Sequence, residues 1–285
     1  MKLIITVDTE ADNQWKDEAN ISLTNIRALP RFQVICERFS VRPTYFTTYE
    51  VITDSESCAM LKEWHTRKVA EVGAHLHPWT TPPFSEKERG KAFPSELSNE
   101  SLRMKLLTLT SSIREGIGNR PTSYRSGRWG FDERQAFILK ELGYVGDFSI
   151  TPGISWKKSQ GLEGGTGAPD FTSEPIAPHR LASGIVEVPM TIVPSGMFGR
   201  LRWLRIFPNT TRARLAGVLE AILRKQLPVA VFMIHSSELS SGTSPYVKTD
   251  KELEQVYELL IDLFELAKEK GFESATATEF AKAFV

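Results

Sequence analysis

The chain has 285 residues, 41% hydrophobic and 25% charged, enough for a full core, and its 35 basic residues cancel 35 acidic ones. A balanced charge supplies no global field towards nucleic acid or an anionic surface, so nucleic acid is not an expected partner. No apolar run approaches the roughly 20 residues that span a bilayer, and the start at Lys2 lacks the segments of a secretory signal, so the expected location is cytoplasmic.

In chain order, apolar strand-like runs alternate with amphipathic helical patterns. A strand at 3–8 precedes a helix at 24–38, a strand at 44–48 a helix at 54–67, and a strand at 69–75 a helix at 102–117. The alternation continues with a strand at 122–126, a helix at 132–142 and a strand at 145–149. Residues 152–178 lose period and gain Gly and Pro, which reads as a loop insertion. Their glycine run at 161–167 has neither the G-x-G-x-x-G spacing nor a Walker lysine. A strand at 185–191, a helix at 211–225, a strand at 229–235, a helix at 251–270 and a weak strand at 273–276 complete the chain. Seven or eight such units predict an α/β fold, a single barrel domain over 1–285 rather than a long open sheet, because polar residues recur at so many strand ends. Cys36 and Cys58 belong to no close-spaced metal or redox pattern and are expected to be small buried hydrophobes.

The strand ends carry the chemistry. Asp8-Thr9-Glu10 closes the first run and His75-Leu76-His77 the third; a period of two sends Asp8 and Glu10 to one side, and likewise the two histidines. In a parallel sheet these groups converge at the carboxyl edge, as a hydrolytic metal site in outline. The fourth run ends in Tyr124-Arg125-Ser126-Gly127-Arg128-Trp129, the fifth carries Asp147 and the seventh ends at His235. Three of the five histidines thus terminate strands, whereas His65 and His179 are expected on the solvated surface. Trp79, followed by Thr80-Thr81-Pro82-Pro83-Phe84, fits a rim loop. With Trp129 it offers flat rings to sugar faces, although Trp129 and Trp156 fit a core equally well. At 197–207, Arg200, Arg202 and Arg205 interleave with Phe198, Leu201, Trp203, Leu204, Ile206 and Phe207. The expected arrangement packs the apolar side on the barrel and solvates the arginines; contact with a membrane surface or a lipid-linked sugar phosphate is the alternative.

These residues also resemble a family. TVDTE, EVGAHLHPW, YRSGRWGF, GDFS and VFMIHSSE are similar, in order and over nearly the whole chain, to the motifs of the polysaccharide deacetylases (NodB homology, carbohydrate esterase family 4). The resemblance implies a distorted (β/α)7–8 barrel, a divalent metal such as zinc, and hydrolysis of an N-acyl group, acetyl first, from an amino sugar or related amide. Two departures stand out. Thr9 occupies the place of the second of two adjacent family aspartates, with Glu10 as substitute, and Trp79 stands four residues after His75, where the family has its second histidine. Arg125 and Gly127 retain part of an R-x-P-x-G motif.

The roles that follow from this resemblance are specific. Glu10, His75 and His77 would hold the ion, whose bound water has its pKa lowered to about 7. Asp8 would take the water proton, Arg125 would keep Asp8 ionised and turned, and His235, oriented by Asp147 or Glu238, would protonate the leaving nitrogen. A buried structural ion pair is an equal reading for Arg125 and Asp147. The competing functions are a metal-independent amidohydrolase of a small non-peptide amide, a glycosidase using Asp8 with Glu10 or Asp147, and an inactive glycan-binding barrel. The glycosidase leaves the three strand-end histidines unused. There is no G-x-S-x-G elbow and neither cysteine has a nearby histidine. A carbohydrate or small amide substrate is expected, and a cytoplasmic setting favours a small saccharide or a nucleotide- or lipid-linked precursor over a wall polymer.

Overall fold

The first apolar run folds as β1 (Lys2–Thr9), buried along all but its first residue, because both faces of a parallel sheet are covered. This computed structural model describes residues 1–14, 21–158, 168–195 and 200–284. After β1 come α1 (Leu29–Arg38), β2 (Thr44–Thr47), α2 (Tyr49–Thr53), α3 (Ser55–Thr66), β3 (Glu71–Leu76) and α4 (Asn99–Ile117). They are followed by β4 (Ser123–Ser126), α5 (Glu133–Glu141), β5 (Gly146–Asp147), β6 (His179–Arg180), β7 (Val186–Glu187), β8 (Ile192–Ser195) and β9 (Arg200–Trp203). The last elements are α6 (Arg212–Arg224), β10 (Val229–His235), α7 (Asp250–Glu269), β11 (Glu273–Ser274) and α8 (Ala277–Ala283).

The main sheet runs β10-β1-β2-β3-β4-β5-β7-β6, parallel except for β6 against β7, with β11 added beside β1. Beyond β7, residues 188–191 continue along the extension of β5, where the Val188 N–H donates to Asp147 O at 2.9 Å and the Met190 N–H to Ile150 O at 2.9 Å. Thr191 then meets the free edge of β10: its Oγ1 accepts from the Val231 N–H at 2.8 Å. The sheet therefore curls into a distorted barrel whose seam is latched by a side chain. Among the described residues, no helix is long and apolar enough to cross a membrane.

Helix starts follow the expected chemistry. Asp54, Ser98, Asp132, Thr211, Thr249 and Thr276 each cap a helix by accepting a backbone N–H three residues on. Each such cap contributes about 1 kcal/mol. All eight expected strands form, the fifth, sixth and eighth reduced to two residues each at β5, β7 and β11. Strands β6, β8 and β9 and helices α2 and α8 were not expected, since segments this short carry little period. The insertion at 152–178 is crossed by one bridge, Ser155 to Asp170, and its residues 159–167 lie outside those described.

Several side chains sit otherwise than expected. Cys36 is buried, but Cys58 is half-buried, at the α3 surface that faces Gly116 of α4. His65 and His179 are half-buried rather than solvated, bonded to Asn119 Nδ2 at 3.0 Å and Ala177 O at 3.1 Å, and neither approaches the cavity described below.

Asp147 is fully buried. Its carboxylate accepts from Ser149 Oγ at 2.7 Å and Ser149 N at 3.2 Å, while Glu187 beside it accepts from Ile150 N at 3.1 Å. Burial pushes both carboxyls above their ordinary values, and repulsion from Asp147 pushes Glu187 further. A carboxyl raised in the fold binds a proton more tightly than in the unfolded chain, so its stabilisation is present at low pH. It is lost as pH climbs from the unfolded value near 4.3 through the raised folded value. Urea midpoints measured at about pH 5 and about pH 8 should fall further in the wild type than in Glu187→Gln, with a limiting slope of about 1.4 kcal/mol per pH unit. Equal slopes would show that Glu187 does not carry the raised titration.

Candidate active site

Strand register sets the site. Asp8 on β1 lies opposite His235 on β10, and His75 on β3 lies opposite Arg125 on β4. Glu10 and His77 follow one residue beyond their strands, as the period of two requires. All four groups, with His235, open into one cavity of about 400 Å³.

Arg125 is buried completely and organises the floor. It donates to Asp8 Oδ1, to Thr6 Oγ1 at 2.9 Å and to Phe148 O at 2.9 Å, and its guanidinium carbon is 4.6 and 5.5 Å from the Phe46 and Trp129 ring centroids. Burial alone would raise the Asp8 pKa; the Arg125 charge overrides it and holds the carboxyl below the usual range.

Glu10, His75 and His77 present three donor atoms that all lie within 4.8 Å of one another. His77 Nε2 is 3.2 Å from Glu10 Oε2 and 3.0 Å from His75 Nε2, and His75 Nε2 is 3.7 Å from the same carboxylate oxygen. Ligands held at about 2.0–2.1 Å in a tetrahedron stand about 3.3 Å apart, so this triad fits a zinc-like ion. His75 Nδ1 meets Arg125 O at 2.9 Å, a bond in which Nδ1–H donates, so that in the neutral ring the lone pair sits on Nε2, the atom that faces the triad. Burial opposes charge on His75, but Asp8 and Glu10 outweigh it; burial and the neighbouring cations hold His77 well below its ordinary value.

His235 faces the carboxylates across the cavity, its Nε2 4.0 Å from Asp8 Oδ2 and 3.9 Å from Glu10 Oε1. Its Nδ1 is 3.1 Å from Glu238 Oε1, a pair contained within a single 3-10 turn. Of the two orienting carboxylates read from the sequence, Glu238 therefore occupies the place, and Asp147 does not: its bonds go to Ser149, in the interior. Burial raises Glu238, and the charge of Arg205 pulls it below its ordinary value. Arg205 was expected in solvent but is 7% exposed, bonded to Glu238 and 3.0 Å from His235 Nδ1. Glu50, on α2, is a further buried carboxyl kept high by burial and by Glu10.

The mouth is aromatic. Trp79, Trp129 and Trp156 all line the cavity, joined by Phe93 and Tyr246. Trp79 covers His77 at 4.2 Å between ring centroids and donates from Nε1 to Gln14 Oε1 at 2.8 Å. Arg128 and Trp129 both hold left-handed backbone, with φ of 51° and 60°, a strain of order 1–3 kcal/mol each that fixes how this segment meets the cavity. The loop from Pro78 to Pro83 is pinned from α4: buried Lys105 donates to Pro78 O at 3.0 Å, Thr81 O at 2.7 Å and Pro83 O at 2.7 Å. Sequence reading missed Lys105, although it occupies a core position of the α4 stripe, next to Leu102, Leu106 and Leu109, where a lysine signals a buried task.

No family model matches the chain, and no curated protein matches it by sequence. Solved structures do. A candidate glycoside hydrolase/deacetylase from Parabacteroides distasonis aligns over 99% of this chain and 70% of its own at 12% identity, with a TM-score of 0.62. A candidate polysaccharide deacetylase from Mycobacterium smegmatis aligns over 99% and 90% at 16% identity, with a TM-score of 0.56. A mutant of a Bacillus anthracis CE4 family pseudoenzyme, with restored enzymatic activity, aligns over 98% and 67% at 15% identity, with a TM-score of 0.50. With its curled parallel sheet and chemistry gathered at the strand ends, the chain has the distorted barrel fold of the carbohydrate esterase family 4 polysaccharide deacetylases.

Proposed function

We propose that this protein hydrolyses an N-acyl group, acetyl first, from an amino sugar, with one divalent metal, zinc by the chemistry of its donors, held by Glu10, His75 and His77. The convergence of those three donors beside an arginine-held aspartate carries the reading. When bound, such an ion polarises the acyl oxygen and acidifies a water. Asp8, kept ionised by Arg125, accepts the water proton. His235 delivers a proton from Nε2 to the departing amine, its ring turned by the contact of Nδ1 with Glu238. Arg205 locks Glu238 from behind, and Trp79 and Trp129 supply apolar faces for the sugar. Elemental mass spectrometry of purified protein against a chelator-treated control, with acid release from N-acetylated mono- and oligosaccharides, tests this. About one zinc per chain together with acid release supports it. Sugar binding with neither zinc nor release would favour an inert glycan-binding barrel, a reading motivated by Thr9 and Trp79 in the places of family ligands.

Gly127 offers a sharper test of the His77 placement. A Cβ added there would fall inside contact with His77 Cδ2 and the Leu76 carbonyl oxygen, so Gly127→Ala must displace the imidazole. Zinc affinity is expected to drop about 10- to 100-fold while circular dichroism stays unchanged. Unaltered zinc affinity would remove His77 from the ligand set.

A further inference from the structure

The β8–β9 hairpin stands off the main sheet, and its two faces differ. Strand alternation sends Leu201 and Trp203 one way and Arg200 and Arg202 the other. Trp203 meets Trp129 and Trp156 at 5.9 and 6.5 Å between ring centroids, so one face is committed to the aromatic wall of the catalytic cavity. On the other, Arg200 and Arg202 join Arg214 of α6 around an open concavity of about 490 Å³, together with Thr211 and Ala213 and with the exposed Leu201 between the two arginines of β9. No acidic residue lines it, and the first turn of α6 holds none. None of the three guanidiniums forms an ion pair among the described residues, and Arg214 Nε is buried without a hydrogen bond. Arg212, by contrast, is paired with Asp262 and Glu265. In a chain of zero net charge, three like charges gathered without a counterion raise the local potential and attract an anion.

We propose that this concavity binds a phosphoryl group, the carrier phosphate of a phosphate-linked saccharide whose sugar reaches the neighbouring cavity. The planar arginine fork matches phosphate oxygens two at a time, and the hairpin that bears Arg200 and Arg202 also bears Trp203, which packs against the Trp129 and Trp156 rings that line the cavity. This substrate class rests on the amidohydrolase reading above; the anion site itself does not.

The test is calorimetric titration with inorganic pyrophosphate, in the wild type, in Arg200→Glu/Arg202→Glu, and in Arg224→Glu at the far end of α6. Arg200 and Arg224 are exposed and Arg202 is half-buried, so the fold should survive, which circular dichroism checks. Wild type and Arg224→Glu should bind alike, with affinity falling as salt rises, and the double variant should bind at least about tenfold more weakly. Cosedimentation with vesicles of equal parts phosphatidylglycerol and phosphatidylcholine separates the sources. Binding that the double variant loses identifies a lipid-borne phosphate, whereas pyrophosphate binding alone identifies a soluble diphosphate. No arginine-dependent binding of either probe overturns the site. Acid release from a neutral N-acetyl sugar without anion binding would count against this site only, and anion binding without any acid release against the catalytic reading only.

Discussion

Asp8→Asn is expected to lower turnover about 10²- to 10⁴-fold while zinc per chain stays unchanged. The amide keeps the carboxylate's shape but accepts no proton, and Asp8 is not among the three clustered donors. A cost in stability comes with it. Arg125 is fully buried and would lose its ion-pair partner, a loss of about 3–5 kcal/mol, softened by the bonds it keeps to Thr6 and Phe148. Single-turnover acid release should therefore be measured beside a thermal melt, at a temperature where the variant is folded. A folded Asp8→Asn with wild-type turnover would end the assignment of Asp8 as base.

Lys105→Met should be the most destabilising change outside the cavity, by about 3–5 kcal/mol. The methionine fills the volume, but three carbonyls at Pro78, Thr81 and Pro83 lose their charged donor within buried or half-buried surroundings, at about 1–3 kcal/mol each before relaxation. Because these carbonyls bracket Trp79 to Pro83, the freed loop should raise KM for a saccharide more than it lowers kcat. Urea denaturation gives the first quantity and steady-state kinetics the second. A loss below about 1 kcal/mol would mean that the loop is held by its own packing.

What the sequence made legible follows from which interactions are local. β1, β3 and β10 are long runs buried on both faces, and their terminal polar residues fall where a period of two puts them, so Asp8, Glu10, His75, His77 and His235 were readable as one site. Arg125, near the end of the strand beside His75, was readable as a holder of Asp8 and equally as a buried structural partner. The choice between Asp147 and Glu238 was not, since both lie near strand ends and only the curl of the sheet directs Asp147 towards Glu187. Arg205 was misread for a similar reason. Its neighbours Arg200 and Arg202 do face outward, and the partner that buries Arg205, Glu238, lies 33 residues away. β8 and β9 were hidden by shortness, by Pro194 and by arginines, all of which weaken a strand pattern.

The Thr191 latch has a mechanical meaning. Elsewhere, pulling two walls of the barrel apart means breaking a ladder of backbone bonds, whereas among the described residues the hydrogen bonding along the seam between β10 and residues 188–191 is one hydroxyl. Separation there costs about 1 kcal/mol in hydrogen bonding, far less than unzipping β1 from β10. The wall that carries His235 and the wall that leads into the tryptophan-bearing hairpin are thus joined chiefly by apolar packing of Val188, Met190, Val231 and Met233, so the width of the cleft between them is set by side-chain fit and not by a backbone ladder.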